Sequence, residues 1–301
     1  MDSGFTTRIQ KEACIGCGLC TEVCPSRVLF LEAGKAEVLE ADCLACGHCE
    51  AVCPENAIKA AGPTPWLRGF AGFEIPERPL PPGEFDAGNL VGLMLSRRSC
   101  RNFRDKEVGQ EVLQDLAGVG VTAPSGTNSQ ALCFTVLSTR QAVVEWAEGI
   151  GNFFRRLNRL AGRPVLRLLL KALGRPELHN YYLNHYQSVQ GALAEWEQKG
   201  VDRLFHGAPA VMIVSSSNNA SCPAEDALLA SQNILLAAHS LGLGTCLVGF
   251  AVAAMKKDPS LARMVGIPTD DTAYAVIALG YPSVKYLRFT SRKEPSLRFK
   301  A

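Results

Sequence analysis

The pattern of apolar and polar positions beyond residue 88 changes between two periods, which predicts a mixture of helices and strands. Apolar residues recur at helical spacing over 108–119 and over 224–241, and the second run stops at Gly242. Three shorter runs, at 133–137, 210–215 and 273–279, are almost continuously apolar and predict buried strands. This order of elements predicts an α+β fold built around one central sheet.

A proline-rich stretch separates this region from the N-terminal part of the chain. Proline at this density disfavours helix and central strand, so the stretch predicts an extended linker. Its prolines are Pro63, Pro65, Pro76, Pro79, Pro81 and Pro82. We therefore expect a small domain at 1–62, a linker at 63–88 and a large domain at 89–301, which suits a chain of 301 residues.

Charge is distributed unevenly between these parts. Residues 1–62 contain five Lys/Arg and nine Asp/Glu, a net charge of −4, and the remainder carries +6. The total of +2 gives no indication of a nucleic-acid partner. The acidic small domain suits docking on a basic partner or on the basic remainder of its own chain.

Eight of the twelve cysteines lie in the small domain, in two runs of identical spacing. Each run reads C-x2-C-x2-C-x3-C-P, which is typical of four-iron, four-sulfur ligation. Three thiolates at this spacing surround one cluster, and the fourth, before a proline, ligates the other cluster. We therefore assign one cluster to Cys14, Cys17, Cys20 and Cys53, and the other to Cys24, Cys43, Cys46 and Cys49.

Disulfide bonds and zinc ions are the two alternatives for these cysteines. A secreted disulfide scaffold fits poorly, because the start of the chain lacks a basic flank followed by an apolar core. A reducing cytoplasmic location is the expectation, and no apolar run approaches the roughly 18 residues of a membrane span. A pair of zinc sites remains open, since CxxC pairs also bind zinc.

Three segments of the large domain carry polar groups that suit a phosphate or a heterocycle. The arginine–serine segment, 96–103, reads SRRSCRNF, and its guanidinium groups can form bidentate bonds to a phosphate. The amide loop, 123–130, reads APSGTNSQ, and its amides and hydroxyls can bond the edge of a heterocycle. The glycine segment, 242–250, reads GLGTCLVGF and lacks the dinucleotide fingerprint GxGxxG. Each segment alone is more typical of an ordinary turn or loop.

The order of the three segments, followed by Gly280-Tyr281-Pro282, resembles the FMN-dependent nitroreductase family from about residue 89 to the C-terminus. The cysteine runs resemble the bacterial two-cluster ferredoxins over residues 8–60, so the whole chain is similar to the ferredoxin-fused nitroreductases of anaerobes. The resemblance implies an α+β fold in which a nitroreductase-like central sheet is flanked by helices, preceded by a small two-cluster ferredoxin-like domain. It also implies a homodimer with FMN at its interface.

The resemblance further implies a set of residues in contact with FMN. The arginine–serine segment would bind the phosphate and the ring edge, and the amide loop would bind the ring. The glycine segment would offer backbone amides to the redox-active nitrogen, and a late basic residue would complete the phosphate site. The set is Arg97, Arg98, Ser99, Arg101, Pro124, Ser125, Asn128, Gln130, Leu247, Val248, Gly249 and Arg292, with Arg288 and Lys293 as further choices for the last position.

We therefore expect an FMN-dependent oxidoreductase that receives single electrons through two [4Fe-4S] clusters from a carrier such as ferredoxin. Its acceptor would be a nitroaromatic, a quinone or an activated alkene, and no catalytic side chain is expected because the flavin or water can supply protons. In one alternative, NAD(P)H reduces the flavin and the clusters carry electrons outward. In another, the chain is a non-catalytic electron-transfer adaptor.

The region 151–207 is expected to form a lid over the acceptor pocket, as in related proteins. It contains a basic run, 153–175, with seven Lys/Arg and no acidic residue. The run is typical of a solvated helical face. Docking of an acidic electron carrier or of the chain's own small domain is an alternative, whereas contact with an anionic membrane is not expected.

Overall fold

The computed structural model of the protein describes residues 7–39, 43–60 and 69–300. The expected boundary between residues 62 and 63 lies outside these ranges. The N-terminal part contains two antiparallel strand pairs and two short helices. The strands are β1 (Arg8–Ile9), β2 (Leu29–Glu32), β3 (Lys35–Val38) and β4 (Ile58–Lys59), paired β1–β4 and β2–β3, and the helices are α1 (Leu19–Glu22) and α2 (His48–Val52).

Both short helices start at a glycine with positive φ inside a cysteine run. Gly18 has a φ of 81° before α1, and Gly47 has a φ of 77° before α2. This left-handed conformation strains residues that have a Cβ, so the glycines allow the chain to turn sharply between successive cysteines. The buried core of this part combines three cysteines, Cys14, Cys20 and Cys49, with small or aliphatic side chains such as Ala36 and Ile58.

Residues 69–86 of the expected linker have no regular secondary structure, as its prolines predict, whereas its last two residues, 87 and 88, are helical. The linker is held to the large domain by Asp115, whose carboxylate accepts hydrogen bonds from the N–H groups of Ala71 at 3.0 Å and Gly72 at 2.8 Å. Helix α3 (Ala87–Ser96) follows, with the Asp86 carboxylate accepting from the Asn89 N–H as its N-cap.

The large domain is organised around a four-stranded antiparallel sheet of order β5-β6-β8-β7. Its central strands are buried along nearly their whole length, which explains their almost unbroken apolar runs. The strands are β5 (Leu132–Leu137), β6 (Ala210–Ser217), β7 (Gly244–Leu247) and β8 (Asp271–Gly280).

Helices cover both faces of this sheet and create two separate cores. One core contains residues of α4 (Gln110–Gly120) and α9 (Pro223–Ser240), and the other contains residues of α5 (Arg140–Ala161) and α10 (Gly249–Lys257). A short helix, α11 (Ser260–Arg263), packs against α5 and α10. The expected central sheet flanked by helices is therefore confirmed.

The expected lid region is helical throughout most of its length. It begins within α5 and continues through α6 (Pro164–Ala172), α7 (Glu177–Asn184) and α8 (Tyr186–Lys199). Three cations of the basic run have partners within the chain. Arg155 pairs with Glu148 and Glu197, Arg156 pairs with Asp258, and Arg167 stacks on the Tyr182 ring. Among the described residues, no helix combines the length and apolarity needed to cross a bilayer.

Candidate active site and cofactor sites

The eight cysteines of the small domain line two separate cavities. The first is lined by Cys14, Cys17, Cys20 and Cys53, and the second by Cys24, Cys43, Cys46 and Cys49. The last cysteine of each run thus lies with the first three of the other run. This is the division that the Cys-Pro spacing predicts for two cubane clusters.

Backbone amides point at several of these sulfur atoms. The N–H of Ala36 donates to Cys14 Sγ at 3.4 Å, that of Ala45 to Cys43 Sγ at 3.4 Å, and that of Ala57 to Cys53 Sγ at 3.3 Å. The Ala36 hydrogen bond lowers the pKa of Cys14, whereas burial raises the pKa of Cys49 to about 11. Hydrogen bonds from backbone amides to sulfur stabilise the thiolate form of a cysteine and tune the reduction potential of a cluster that the thiolate ligates.

The spread of the thiols favours a polynuclear group over a single ion. Within residues 7–39, 43–60 and 69–300, no three His, Cys, Asp or Glu side chains are arranged to hold one metal ion. Four thiols around each cavity suit a four-iron cube, in which each iron takes one cysteine sulfur. The donor set therefore fits two clusters better than two zinc ions.

The arginine–serine segment runs along the outer side of β7 and joins the glycine segment. Ser99 forms a parallel bridge with Thr245, and the N–H of Cys100 donates to Thr245 O at 2.8 Å. A Cβ on Gly244 would lie 2.7 Å from both Cβ and Sγ of Cys100, so this contact requires a glycine. The arginine–serine segment and the glycine segment are therefore in direct contact within the same chain.

A cavity of about 1080 Å³, here called the large cavity, opens where these two segments meet. Arg101 lines it from the arginine–serine segment, and Leu247, Val248 and Gly249 line it from the glycine segment. Arg97 also lies near this cavity, since its charge affects Cys246, another lining residue. Burial raises the pKa of the Cys246 thiol, and the charges of Arg101 and Arg97 act in the opposite direction.

The N-terminus of α10 offers hydrogen-bond donors at the wall of the large cavity. The N–H groups of its first turn, beginning with Gly249, have no intrahelical acceptors, and no side chain caps them either. The N–H of Val248 is already used, because it donates to Val276 O at 2.8 Å. Of the two backbone amides expected to face the flavin, those of Val248 and Gly249, the Gly249 amide is therefore the one left for a ligand. Free amides at a helix N-terminus suit an electron-rich ring edge or an anion.

A second cavity, of about 500 Å³ and here called the tail cavity, lies between the arginine–serine segment and the C-terminal tail. Arg98 and His239 line it on one side and Arg288 on the other. Arg97 and Arg98 contribute to lowering the pKa of His239, although burial is the larger cause. Arg292 does not line either cavity; it is exposed and donates to Thr290 Oγ1 at 3.2 Å. Among the described tail residues, Arg288 is therefore better placed beside Arg98 than Arg292.

The amide loop lies at the opposite edge of the sheet. It precedes β5, whereas the glycine segment contains β7 and the arginine–serine segment lies beside β7. Asp226 on α9 fixes its conformation, accepting from the Gly126 N–H at 2.9 Å and the Ser129 hydroxyl at 3.3 Å. Pro124 and Ser125 lie at its start, and Ser125 Oγ accepts from the Gln130 N–H at 3.0 Å. This loop does not reach the large cavity of its own chain.

Asn128 connects the amide loop to the small domain. Its Nδ2 donates to the carbonyl oxygens of Ala45 at 2.9 Å and Leu44 at 3.2 Å. These two residues lie between Cys43 and Cys46, two sulfur donors of the second cavity. Asn128 Oδ1 accepts no hydrogen bond from the described residues, so one face of the carboxamide is available to another group.

Family models match both parts of the chain. Residues 94–281 match the model of the Nitroreductase family, and residues 13–57 match the model of a 4Fe-4S dicluster domain. The chain belongs to the nitroreductase family. Its nitroreductase domain follows an N-terminal 4Fe-4S dicluster domain, which confirms the resemblance to ferredoxin-fused nitroreductases. The chain is therefore an oxidoreductase of this family with an iron–sulfur domain.

Individual relatives match the nitroreductase domain. A putative NADH dehydrogenase/NAD(P)H nitroreductase of Methanothermobacter thermautotrophicus is 25% identical over 67% of this chain and 81% of its own length. A 4-nitrobenzoate reductase of Nocardioides sp. is 27% identical over 64% of this chain and 81% of its own length. A solved nitroreductase with bound FMN from Bacteroides fragilis has a TM-score of 0.51 at 20% identity, over 70% of this chain and 98% of that one, which shows a shared fold.

Several residues of the large cavity of the nitroreductase domain were not foreseen as site residues. Tyr181 and Leu178 line it from α7 and Phe250 from α10, and the cations Arg175 and Lys257 line it as well. The spacing of Leu178, Tyr181 and His185 marks one stripe of a helix, which was the available signal. A further cavity of about 460 Å³ lies between α5 and α8, and no predicted site residue lines it.

Proposed function

We propose that the protein is an FMN-dependent oxidoreductase that receives single electrons through two [4Fe-4S] clusters and reduces a small organic acceptor. The residues around the large and tail cavities fit FMN. Arg101 and the free amide of Gly249 would bind the ring edge, and Arg97, Arg98 and Arg288 would bind the phosphate. The bound flavin would accept electrons singly from the clusters and release two to the acceptor.

The observation that carries this proposal is the contact of Asn128 with the carbonyls of Leu44 and Ala45. It joins a loop that is expected to bind the flavin ring to a loop that carries two ligands of the second cluster. The carboxamide can therefore link both cofactors, with Nδ2 directed to the cluster loop and Oδ1 left for a ring N–H. On this basis the second cluster, held by Cys24, Cys43, Cys46 and Cys49, exchanges electrons with the flavin.

A homodimer completes the site in this proposal. Within one chain, the start of β5 and the end of β7 are three strand spacings apart, about 14 Å. They are also offset by four residues along the strands, about 13 Å, since Leu247 lies opposite Ile277 and, across β6, Val136. One ring cannot hydrogen-bond to both places. The amide loop of a second copy would therefore close the large cavity of the first.

A nitroaromatic, a quinone or an activated alkene would serve as acceptor. The name of the Nocardioides relative, a 4-nitrobenzoate reductase, supports the nitroaromatic option. Anaerobic purification followed by counting of iron, sulfide and FMN tests the proposal. It predicts about eight irons and about one FMN per chain. Intact clusters without any uptake of FMN would instead indicate the electron-transfer adaptor.

Direct reduction by NAD(P)H is the second candidate, because relatives are named as putative NADH dehydrogenases/NAD(P)H nitroreductases. Anaerobic stopped-flow mixing separates the two routes. With reduced ferredoxin as donor, cluster absorbance should change before the flavin bleaches. Rapid flavin bleaching by NADH alone, with the clusters reduced afterwards, would reverse the proposed direction of electron flow.

A further inference from the structure

We propose that the large cavity is a binding site for aromatic acceptors that carry one anionic group, such as a carboxylate. The inference rests on the proposed function, in which the flavin ring lies beside Gly249. It goes beyond that function because it specifies the chemistry of the acceptor. The evidence is the combination of aromatic walls with a surplus of positive charge at the same cavity.

The walls of the large cavity are apolar and aromatic. Phe153, Phe154 and Phe250 contribute rings, and Tyr181 contributes a fourth ring from α7. The Tyr181 hydroxyl donates to Asn158 Oδ1 at 2.6 Å, so its polar end is satisfied away from the cavity space. His185 packs edge-on against Phe250, with ring centroids 5.6 Å apart. A planar aromatic molecule would gain offset-stacked or edge contacts on such walls.

Positively charged side chains outnumber negatively charged ones in the lining of the large cavity. Four are cations, namely Arg101, Arg175, Arg203 and Lys257, and Glu177 is the one acid among the described lining residues. Arg203 is already paired with Glu195, its Nε donating at 2.5 Å and its Nη2 at 3.2 Å. Arg101 is assigned to the flavin ring edge. Arg175 and Lys257 remain, opposed only by Glu177, which leaves one positive charge.

The two remaining cations are available to a ligand. Neither Arg175 nor Lys257 forms an ion pair with the described residues, whereas Arg155, Arg156 and Arg203 all do. His206 also lines the cavity, but burial and the nearby Arg101 lower its pKa, so it adds little positive charge at neutral pH. A carboxylate on an aromatic ring would place its charge at these cations while the ring stays on the apolar walls.

Because Arg175 and Lys257 are both exposed, ion pairs with them imply a preference of about 3- to 10-fold for an anionic over a neutral isostere. The test is titration of benzoate and of benzamide into the oxidised holoenzyme, followed by the change in flavin absorbance. KM for a nitrobenzoate and for the matching nitrobenzamide gives a second readout. Benzoate should bind about 3- to 10-fold more tightly than benzamide.

Substitution of the two free cations should remove this preference. In a Lys257→Gln, Arg175→Gln variant, benzoate and benzamide should bind with equal affinity, while Lys257→Arg should retain most of the preference. Lys256→Gln is the matched control, because Lys256 lies next in the chain but its Nζ is directed to the Tyr274 ring at 5.9 Å. It should behave as the wild type.

Two outcomes overturn the inference. One is equal affinity of the flavin-loaded wild type for benzoate and benzamide. The other is a preference that survives in the doubly substituted variant. Purified protein that takes up no FMN would count against the proposed function instead, so the two failures are distinguishable.

Discussion

Replacing Asn128 with Asp should weaken the docking of the cluster-bearing module on the amide loop. The substitution keeps the size of the side chain but replaces the Nδ2 donor with a carboxylate oxygen that faces the carbonyls of Leu44 and Ala45. The φ of Asn128 is +56°, a conformation that Asp tolerates nearly as well as Asn, so little backbone strain is added. The variant therefore reports on the loss of the two hydrogen bonds, with any repulsion between the new carboxylate and the two carbonyls adding to the effect.

The structure sets the size of the effect. Two neutral hydrogen bonds contribute about 1 kcal/mol each, so their loss should cost about 2 kcal/mol. That corresponds to a fall of about 30-fold in the equilibrium constant for docking. The rate of electron transfer from reduced clusters to the flavin should fall by up to this factor, depending on how fully the module is docked in the wild type.

Anaerobic stopped-flow measures the rate, and relaxation enhancement of the flavin semiquinone by a reduced cluster measures their proximity. Both should decrease in Asn128→Asp, with FMN and iron contents determined separately. Asn184→Asp is the matched control, because Asn184 Nδ2 also donates to a backbone carbonyl, that of Asn180 at 2.9 Å, within α7. If the rate and the relaxation effect are unchanged in a flavin-replete Asn128→Asp protein, the reasoning is refuted.

Three further changes have defined outcomes. Asp115→Ala removes two hydrogen bonds from a carboxylate, which should cost about 1.5–3 kcal/mol of local stability and speed proteolysis within 69–86, while Asp115→Asn should do less. Cys53→Ser should remove the first cluster and leave about four irons in the second, and the opposite loss would reverse the ligand assignment. FMN binding should raise the pKa of His239, because the phosphate neutralises Arg97 and Arg98, whose charges, added to burial, lower it below 6.5. FMN affinity should therefore increase as the pH falls through the pKa of His239. Histidine NMR, with His239→Asn to assign the resonance, measures this pKa with and without FMN. An unchanged pKa would contradict the prediction.

The sequence was most informative where local spacing determines geometry. The two cysteine runs predict which thiols share a cavity, because a short rigid Cys-Pro segment directs the fourth sulfur away from the first three. The buried strands β6 and β8 could be predicted, since strands covered on both faces are apolar along their length. Strand β7 was missed, because four residues that start at Gly244 carry too short a pattern.

Features that depend on distant parts of the chain could not be predicted. Asn128 lies more than 80 residues from Leu44 and Ala45, and nothing in its local sequence indicates that its Nδ2 meets their carbonyls. Arg288 and Arg292 lie in an irregular tail without periodicity, so the sequence could not decide which approaches Arg98. Helical spacing on α7 identifies a stripe that includes Tyr181 but does not show that a cavity lies beneath it.

The hydrogen bonds from Ala71 and Gly72 to Asp115 shorten the free part of the linker that follows the iron–sulfur domain. Only residues 61–70 separate Ala60, next to β4, from the anchored Ala71, and this stretch can reach at most about 40 Å. A tether of that length keeps the module at an effective concentration in the millimolar range. A soluble carrier present at micromolar concentration would need about thousandfold tighter binding to occupy the same loop. An outside donor would thus be directed to the other end of the module, where Cys17 is exposed.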